Sequence, residues 1–203
     1  MKMKTTTKAS HTGATIVETV FVISIIIVLS FIIVVSFPRM QEHLALSRAS
    51  YALAQNIKII QSLALSSSPI IDSFGNSSQP NGYGMYVNLD DSDSNYVMYA
   101  NFDEDSAFNS ELGIYCRATI NPLQDCILER KNVGENESAI YIKKINNIDA
   151  KYVSINFSVQ SALVDIGNLS VDADNVEIVL GLKEKSLSEK RVLINTVGLI
   201  EVK

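Results

Sequence analysis

Between Thr19 and Phe37 the chain carries no charged residue, and only Thr19, Ser24, Ser30 and Ser36 are polar. As a helix those residues span about 28 Å, close to the roughly 30 Å hydrocarbon thickness of a bilayer. A soluble core helix seldom stays apolar on every face for so long. The run therefore reads as a membrane span. Lys2, Lys4 and Lys8 precede it, with nothing acidic before Glu18. Basic flanks favour the cytoplasmic side, which keeps the N-terminus inside and exports the remainder.

The 203 residues suit one ordinary domain plus an appendage. With 19% charged and 47% hydrophobic residues the mixture is that of a globular protein rather than a disordered one. From Pro38 onward there are 14 Lys and Arg against 21 Asp and Glu, a net of −7. Such an acidic domain repels phosphate backbones, so nucleic acid is disfavoured as a partner, although a local basic patch stays open. Both cysteines, Cys116 and Cys126, lie in the exported part, where an even number favours a disulfide. Closing that short loop is worth roughly 2–3 kcal/mol in the chain-entropy picture. Two free thiols are the alternative, and zinc is disfavoured because the spacing is wrong and no His is near.

A secretory signal peptide has a shorter apolar stretch ending at a small-x-small cut site. Here the run is longer and ends at Ser36-Phe37-Pro38-Arg39, which offers no such site. Glu18 stands at its front. An unpaired carboxylate in a membrane segment is costly, so it counts as a functional residue by default. Gly13 lies just ahead of it. A cut after Gly13 would give Ala14 a free amine about one helical turn from Glu18. In a filament, Glu18 would instead meet the Ala14 ammonium of a neighbouring subunit and so reward correct axial register.

Gly13-Ala14-Thr15-Ile16-Val17-Glu18 resembles the class III leader junction of type IV prepilins and type II secretion pseudopilins. That motif has Gly before the cut, often Thr second after it, then two apolar residues, and Glu fifth. The resemblance implies cleavage between Gly13 and Ala14 by prepilin peptidase, with N-methylation of Ala14. It departs from the usual pattern in having Ala rather than Phe after the cut and Thr12 in place of a basic residue before Gly13. These departures bear on methylation more than on cleavage.

Beyond Pro38, apolar or small residues recur at Leu46, Ala49, Leu53, Ile57, Ile60 and Ala64, one helical stripe that leaves Arg48, Gln55 and Lys58 aside. A single helix from Ala14 to about Ala64 would be roughly 75 Å long. Pro38 removes a backbone donor at the changeover and is expected to kink or loosen it. Ser66-Ser67-Ser68-Pro69 ends it. Strands are expected at Tyr83 to Leu89 and Tyr96 to Asn101, then Ala139 to Ile145, Tyr152 to Val159, Val176 to Lys183, Arg191 to Val197 and Leu199 to Val202. Gly82-Tyr83-Gly84 lacks the further glycine of a dinucleotide fingerprint and reads as the opening of a strand. The expected class is α+β: a type IV pilin-like fold, with a long N-terminal helix, membrane-spanning in its first half, packed on an antiparallel β-sheet. The boundaries are a leader over 1–13, a transmembrane segment over 14–38, the exported half of the helix over 39–65 and a β-domain over 66–203. Gly82-Tyr83-Gly84-Met85-Tyr86-Val87 and Val192-Leu193-Ile194-Asn195 with Gly198-Leu199-Ile200 resemble the pseudopilin H and FimT group of minor subunits.

Weaker signals are weighed beside these. Asp91, Asp93 and Asn95 alternate like the start of a calcium loop, but Tyr96 and Phe102 stand where an EF-hand needs Gly and Glu. With Asp103 and Asp105 they leave an irregular oxygen cage as the lesser alternative to a solvated loop. His11 falls in the leader, and His43 alone cannot serve a triad in a pocket, so catalysis is not expected and no cofactor or metal is called for. The expected role is a structural, minor subunit of a pilus or pseudopilus in the inner membrane. The resemblance supplies its partners: prepilin peptidase, other pilin or pseudopilin subunits, the inner-membrane assembly platform and the lipid bilayer. Two rivals remain. One is a DNA-uptake pilin using Lys183, Lys185, Lys190 and Arg191, among which Glu184, Glu189 and Glu201 are interspersed. The other is a single-pass anchored ectodomain that never polymerises.

Overall fold

The computed structural model describes residues 15–90, 94–103, 108, 114–116, 118, 124–134, 139–159, 163–183 and 185–203. Gly13 and Ala14, where cleavage is expected, lie outside the described residues, as do His11, Glu184 and Asp91, Asp93 and Asp105 of the acidic segments. One helix, α1, covers Ile16–Leu65 and includes Pro38. It ends where the serines begin. Ser67 turns to a φ of 48°, while the Ser67 and Ser68 amides donate to the Ala64 and Leu63 carbonyls at 3.1 and 3.3 Å. Those bonds satisfy last-turn carbonyls that have no partner inside the helix.

The chain divides into two compact units, one ending at Gln41 and the other covering Glu42–Lys203. In the first unit the described apolar side chains of α1 are exposed, from Ile16 through Phe37. That segment is long and apolar enough to cross a membrane.

The second unit holds the rest of α1 and eleven strands among the described residues. A short pair, β1 (Ile70–Ile71) and β2 (Ser77–Ser78), follows the helix. Next come β3 (Gly82–Asn88), β4 (Asn95–Asn101), β5 (Cys126–Asn132), β6 (Ile140–Asn146), β7 (Tyr152–Ser158) and β8 (Val164–Gly167). The last three are β9 (Asn175–Leu182), β10 (Lys185–Asn195) and β11 (Ile200–Val202). A five-stranded sheet has the order β5-β4-β3-β7-β8 and a four-stranded one the order β11-β10-β9-β6. Every pairing between these strands is antiparallel. The α+β class holds, with two principal sheets where the sequence pattern suggested one.

Alternation decides which side chains meet the helix. Tyr83, Met85 and Val87 of β3, and Val153, Ile155 and Phe157 of β7, turn to the core. Val176, Ile178 and Leu180 of β9, with Val192 and Ile194 of β10, join them. From α1 the same core takes Ala45, Leu46, Leu53, Ala54, Ile57, Ile60 and Ala64. Each fully buried Leu or Ile contributes about 1.5–3 kcal/mol of transfer free energy. On the other face of the five-stranded sheet, Gly84 makes room for Tyr99, since a Cβ there would run into the Tyr99 ring. The Tyr99 hydroxyl reaches Ser154 Oγ at 2.6 Å, and Phe108 packs on the ring at 4.8 Å between centroids. Burial pushes the Tyr99 hydroxyl well above its ordinary pKa, and the Ser154 bond opposes that only in part. Gly198, in the β10–β11 turn, takes a φ of +83°, the left-handed region that glycine tolerates best.

Candidate functional site

The head of α1 is built by two residues. Thr15 is non-helical, its carbonyl accepts the first helical bond from the Thr19 amide at 3.1 Å, and its Oγ1 accepts the Glu18 amide at 3.3 Å. This is the geometry of an N-cap. Glu18 stands three residues on, the position that completes a Thr-x-x-Glu capping box. A carboxylate in the first turn also suits the positive end of the helix dipole. In the sequence the cap corresponds to Thr15-Ile16-Val17-Glu18, a Thr-x-x-Glu spacing.

Behind Glu18 the surface is apolar apart from Thr19, Ser24, Ser30 and Ser36. Phe21, Ile27, Phe31 and Val34 are each more than 60% exposed. Two hydroxyls within it are occupied by the helix itself: Thr19 Oγ1 donates to the Thr15 carbonyl at 3.3 Å and Ser24 Oγ to the Val20 carbonyl at 2.8 Å. These two polar groups, which would be costly in lipid, are thus satisfied locally. The result is a rod that no described residue of its own unit covers, with one acid at its head.

The second unit contributes no comparable chemistry. Cys116 and Cys126 are joined by a disulfide with 4.9 Å between Cα atoms. Beside it, the Cys116 amide donates to the Ile127 carbonyl at 2.9 Å and the Ile127 amide to the Ile114 carbonyl at 2.7 Å. The bond therefore ties a short segment to the start of β5. His43 is exposed. A groove of about 570 Å³ lies between Ala45, Ala49 and Ala52 of α1 and Tyr96, Lys131 and Ile140 of the strands. Its floor is pinned by the buried Asn56, whose Nδ2 donates to the Tyr96 hydroxyl at 2.6 Å while its Oδ1 accepts Lys131 Nζ at 3.3 Å. Sequence periodicity could not find this link, because Asn56 is a polar residue on the buried face.

Among the described residues no three His, Cys, Asp or Glu side chains approach closely enough to hold a metal ion. The basic cluster near the C-terminus runs from Lys183, just past β9, along β10 to Arg191 and is threaded with acids. Arg191 lies 3.4 Å from Glu177 and 3.9 Å from Glu189, and Lys143 sits 2.5 Å from Glu189. The Lys143 hydrogen bond holds the Glu189 carboxyl below the ordinary range. Neither a protein-family model, nor a curated protein, nor a solved structure matches this chain.

Proposed function

We propose that the chain is a structural, minor subunit of a type IV pilus or type II secretion pseudopilus, with a pilin-like fold, processed by prepilin peptidase between Gly13 and Ala14. One observation carries the reading: a single carboxylate, Glu18, heads an apolar helical surface that its own unit leaves uncovered. Such a surface needs either lipid or other apolar helices. In the inner membrane it takes lipid, with the basic leader inside and the second unit exported. During assembly it exchanges lipid for the helices of other subunits. Glu18 then aligns each newcomer by pairing with the ammonium that cleavage creates on Ala14 of a neighbour, since an unpaired charge in that setting is expensive.

The DNA-uptake alternative is weakened by the carboxylates around Arg191. The non-polymerising ectodomain differs in its N-terminus. Intact-mass measurement of the chain from membranes of cells with the peptidase is expected to show the first 13 residues removed, with a further 14 Da if Ala14 is methylated. A mass that retains Met1 through Gly13 would favour the ectodomain.

A further inference from the structure

We propose that the groove beside α1 in the second unit is a docking site for an acidic peptide in extended form, supplied by a partner protein. This goes beyond the assembly role above and does not rest on it, because every residue that lines the groove lies within Glu42–Lys203. Shape sets the first restriction. Ala45, Ala49, Ala52, Asn56 and Ile59 recur at alternating intervals of four and three, so they form one face of the helix along the groove. From Ala45 to Ile59 that face is about 21 Å long, the length of roughly six residues of extended chain. Its alanines keep the wall low, so a peptide main chain can come close to the helix. The volume, about 570 Å³, is in the range of ligand clefts.

Charge sets the second. From Pro38 onward acids outnumber bases by 21 to 14. Among the described residues that line the groove, however, Arg48 and Lys131 are charged and none is acidic. The groove is a basic spot on an acidic domain, which draws a carboxylate while the surrounding field turns away a long phosphodiester chain. Lys131 is held in place for this. The Asn56 side chain, more than nine-tenths buried, donates to the Tyr96 hydroxyl at 2.6 Å and accepts Lys131 Nζ at 3.3 Å. Glu129 Oε2 lies 3.2 Å from the same nitrogen. An ammonium has three protons, so one remains for a ligand. The Lys131 side chain is 26% exposed, which leaves its charge only partly screened. Ile59, Val133 and Ile140 give apolar contact to the side chains that flank the carboxylate.

The test uses the full-length chain in lipid nanodiscs and a fluorescent hexapeptide of alternating valine and aspartate, with a valine–lysine hexapeptide as control. Anisotropy is expected to show saturable binding of the aspartate peptide alone. Lys131→Met should weaken it roughly ten-fold or more, the ratio that one charge-assisted hydrogen bond sets. Ala49→Leu, which fills the groove and leaves both cations in place, should weaken it as much. Lys131→Arg is expected to recover most of the binding, which separates loss of charge from loss of fold. Arg130→Met, on the opposite face of the same strand, should match the parent. Equal binding of the lysine peptide overturns the proposal, as does no saturable binding of the aspartate peptide up to about 1 mM. A Lys131→Met variant that binds like the parent also overturns it. Displacement of the peptide by a thymidine oligonucleotide, or self-association of the chain that Ala49→Leu abolishes, would overturn it in favour of those occupants.

Discussion

The two halves of α1 are made from similar residues and lead opposite lives. In the second unit Leu46, Leu53, Ile57 and Ile60 are at most 1% exposed, on a stripe whose other sides carry Arg48, Gln55 and Lys58. In the first unit Ile23, Ile26 and Val28 are about half exposed or more, and the neighbouring positions are equally apolar. The contrast lies in periodicity. An amphipathic helix finishes its packing within its own chain, whereas one that is apolar all round must find its partners elsewhere. Folding of the second unit uses the second half, while the first half is long and apolar enough to cross a membrane.

Substitution is the bluntest way to break this contrast. Leu53→Ala removes a buried side chain from the shared core and is expected to lower the stability of the second unit by about 2–5 kcal/mol. Ile26→Ala on the exposed half should leave that stability within about 0.5 kcal/mol. Denaturant titration of the detergent-solubilised chain reads both, and equal losses would erase the distinction. The disulfide sharpens it further. Replacing Cys116 and Cys126 together by Ser is expected to cost the second unit roughly 2–3 kcal/mol through the freed loop. Helical far-ultraviolet dichroism that remains after the second unit is denatured would report the first half of α1, which has no share in the bond.

A gentler probe is alkali. Burial raises the Tyr83 hydroxyl to about 12 from an ordinary 10, and it donates to the Ser68 carbonyl just past the helix end. A folded-state value above the unfolded one favours the neutral form, so the contribution is complete below about pH 10 and is lost as pH rises toward 12. The melting midpoint of the second unit is expected to hold steady up to about pH 10 and then fall. A fall that begins near neutrality would rule out this origin.

Where burial on one face dictated pattern, the sequence was easy to read. Strands β3, β4, β6, β7, β9 and β11 lie within a residue of their expected bounds because alternate apolar residues face the core. The helix stripe was found for the same reason, and Gly198 sits at the turn expected of it. Where a strand is exposed the signal fades. β5, which none of the expected strands covers, carries Glu129, Arg130 and Lys131 at a sheet edge, and β8 is only four residues long. β10 begins at Lys185 rather than Arg191, since Lys185-Ser186-Leu187-Ser188-Glu189-Lys190 holds one apolar residue among charges and hydroxyls and shows no run of alternate apolar positions. The split into two sheets depends on long-range pairing, β6 with β9 and β3 with β7, which no local pattern encodes. At the candidate site Glu18 stood out as a lone acid, whereas the cap at Thr15 needed the helix start to be located before its hydroxyl acquired a role.

The pairing assigned to Glu18 is open to a direct measurement: the fraction of subunits entering filaments when Glu18→Gln and the parent are expressed at equal levels in the cell that builds them. Gln can occupy the same place in a capping box, so the change removes charge while preserving the helix start. Incorporation is expected to drop roughly ten-fold or more, because the neighbouring ammonium is left without its carboxylate among apolar helices. Entry of the Gln variant at the parent's level would contradict the role given to that acid.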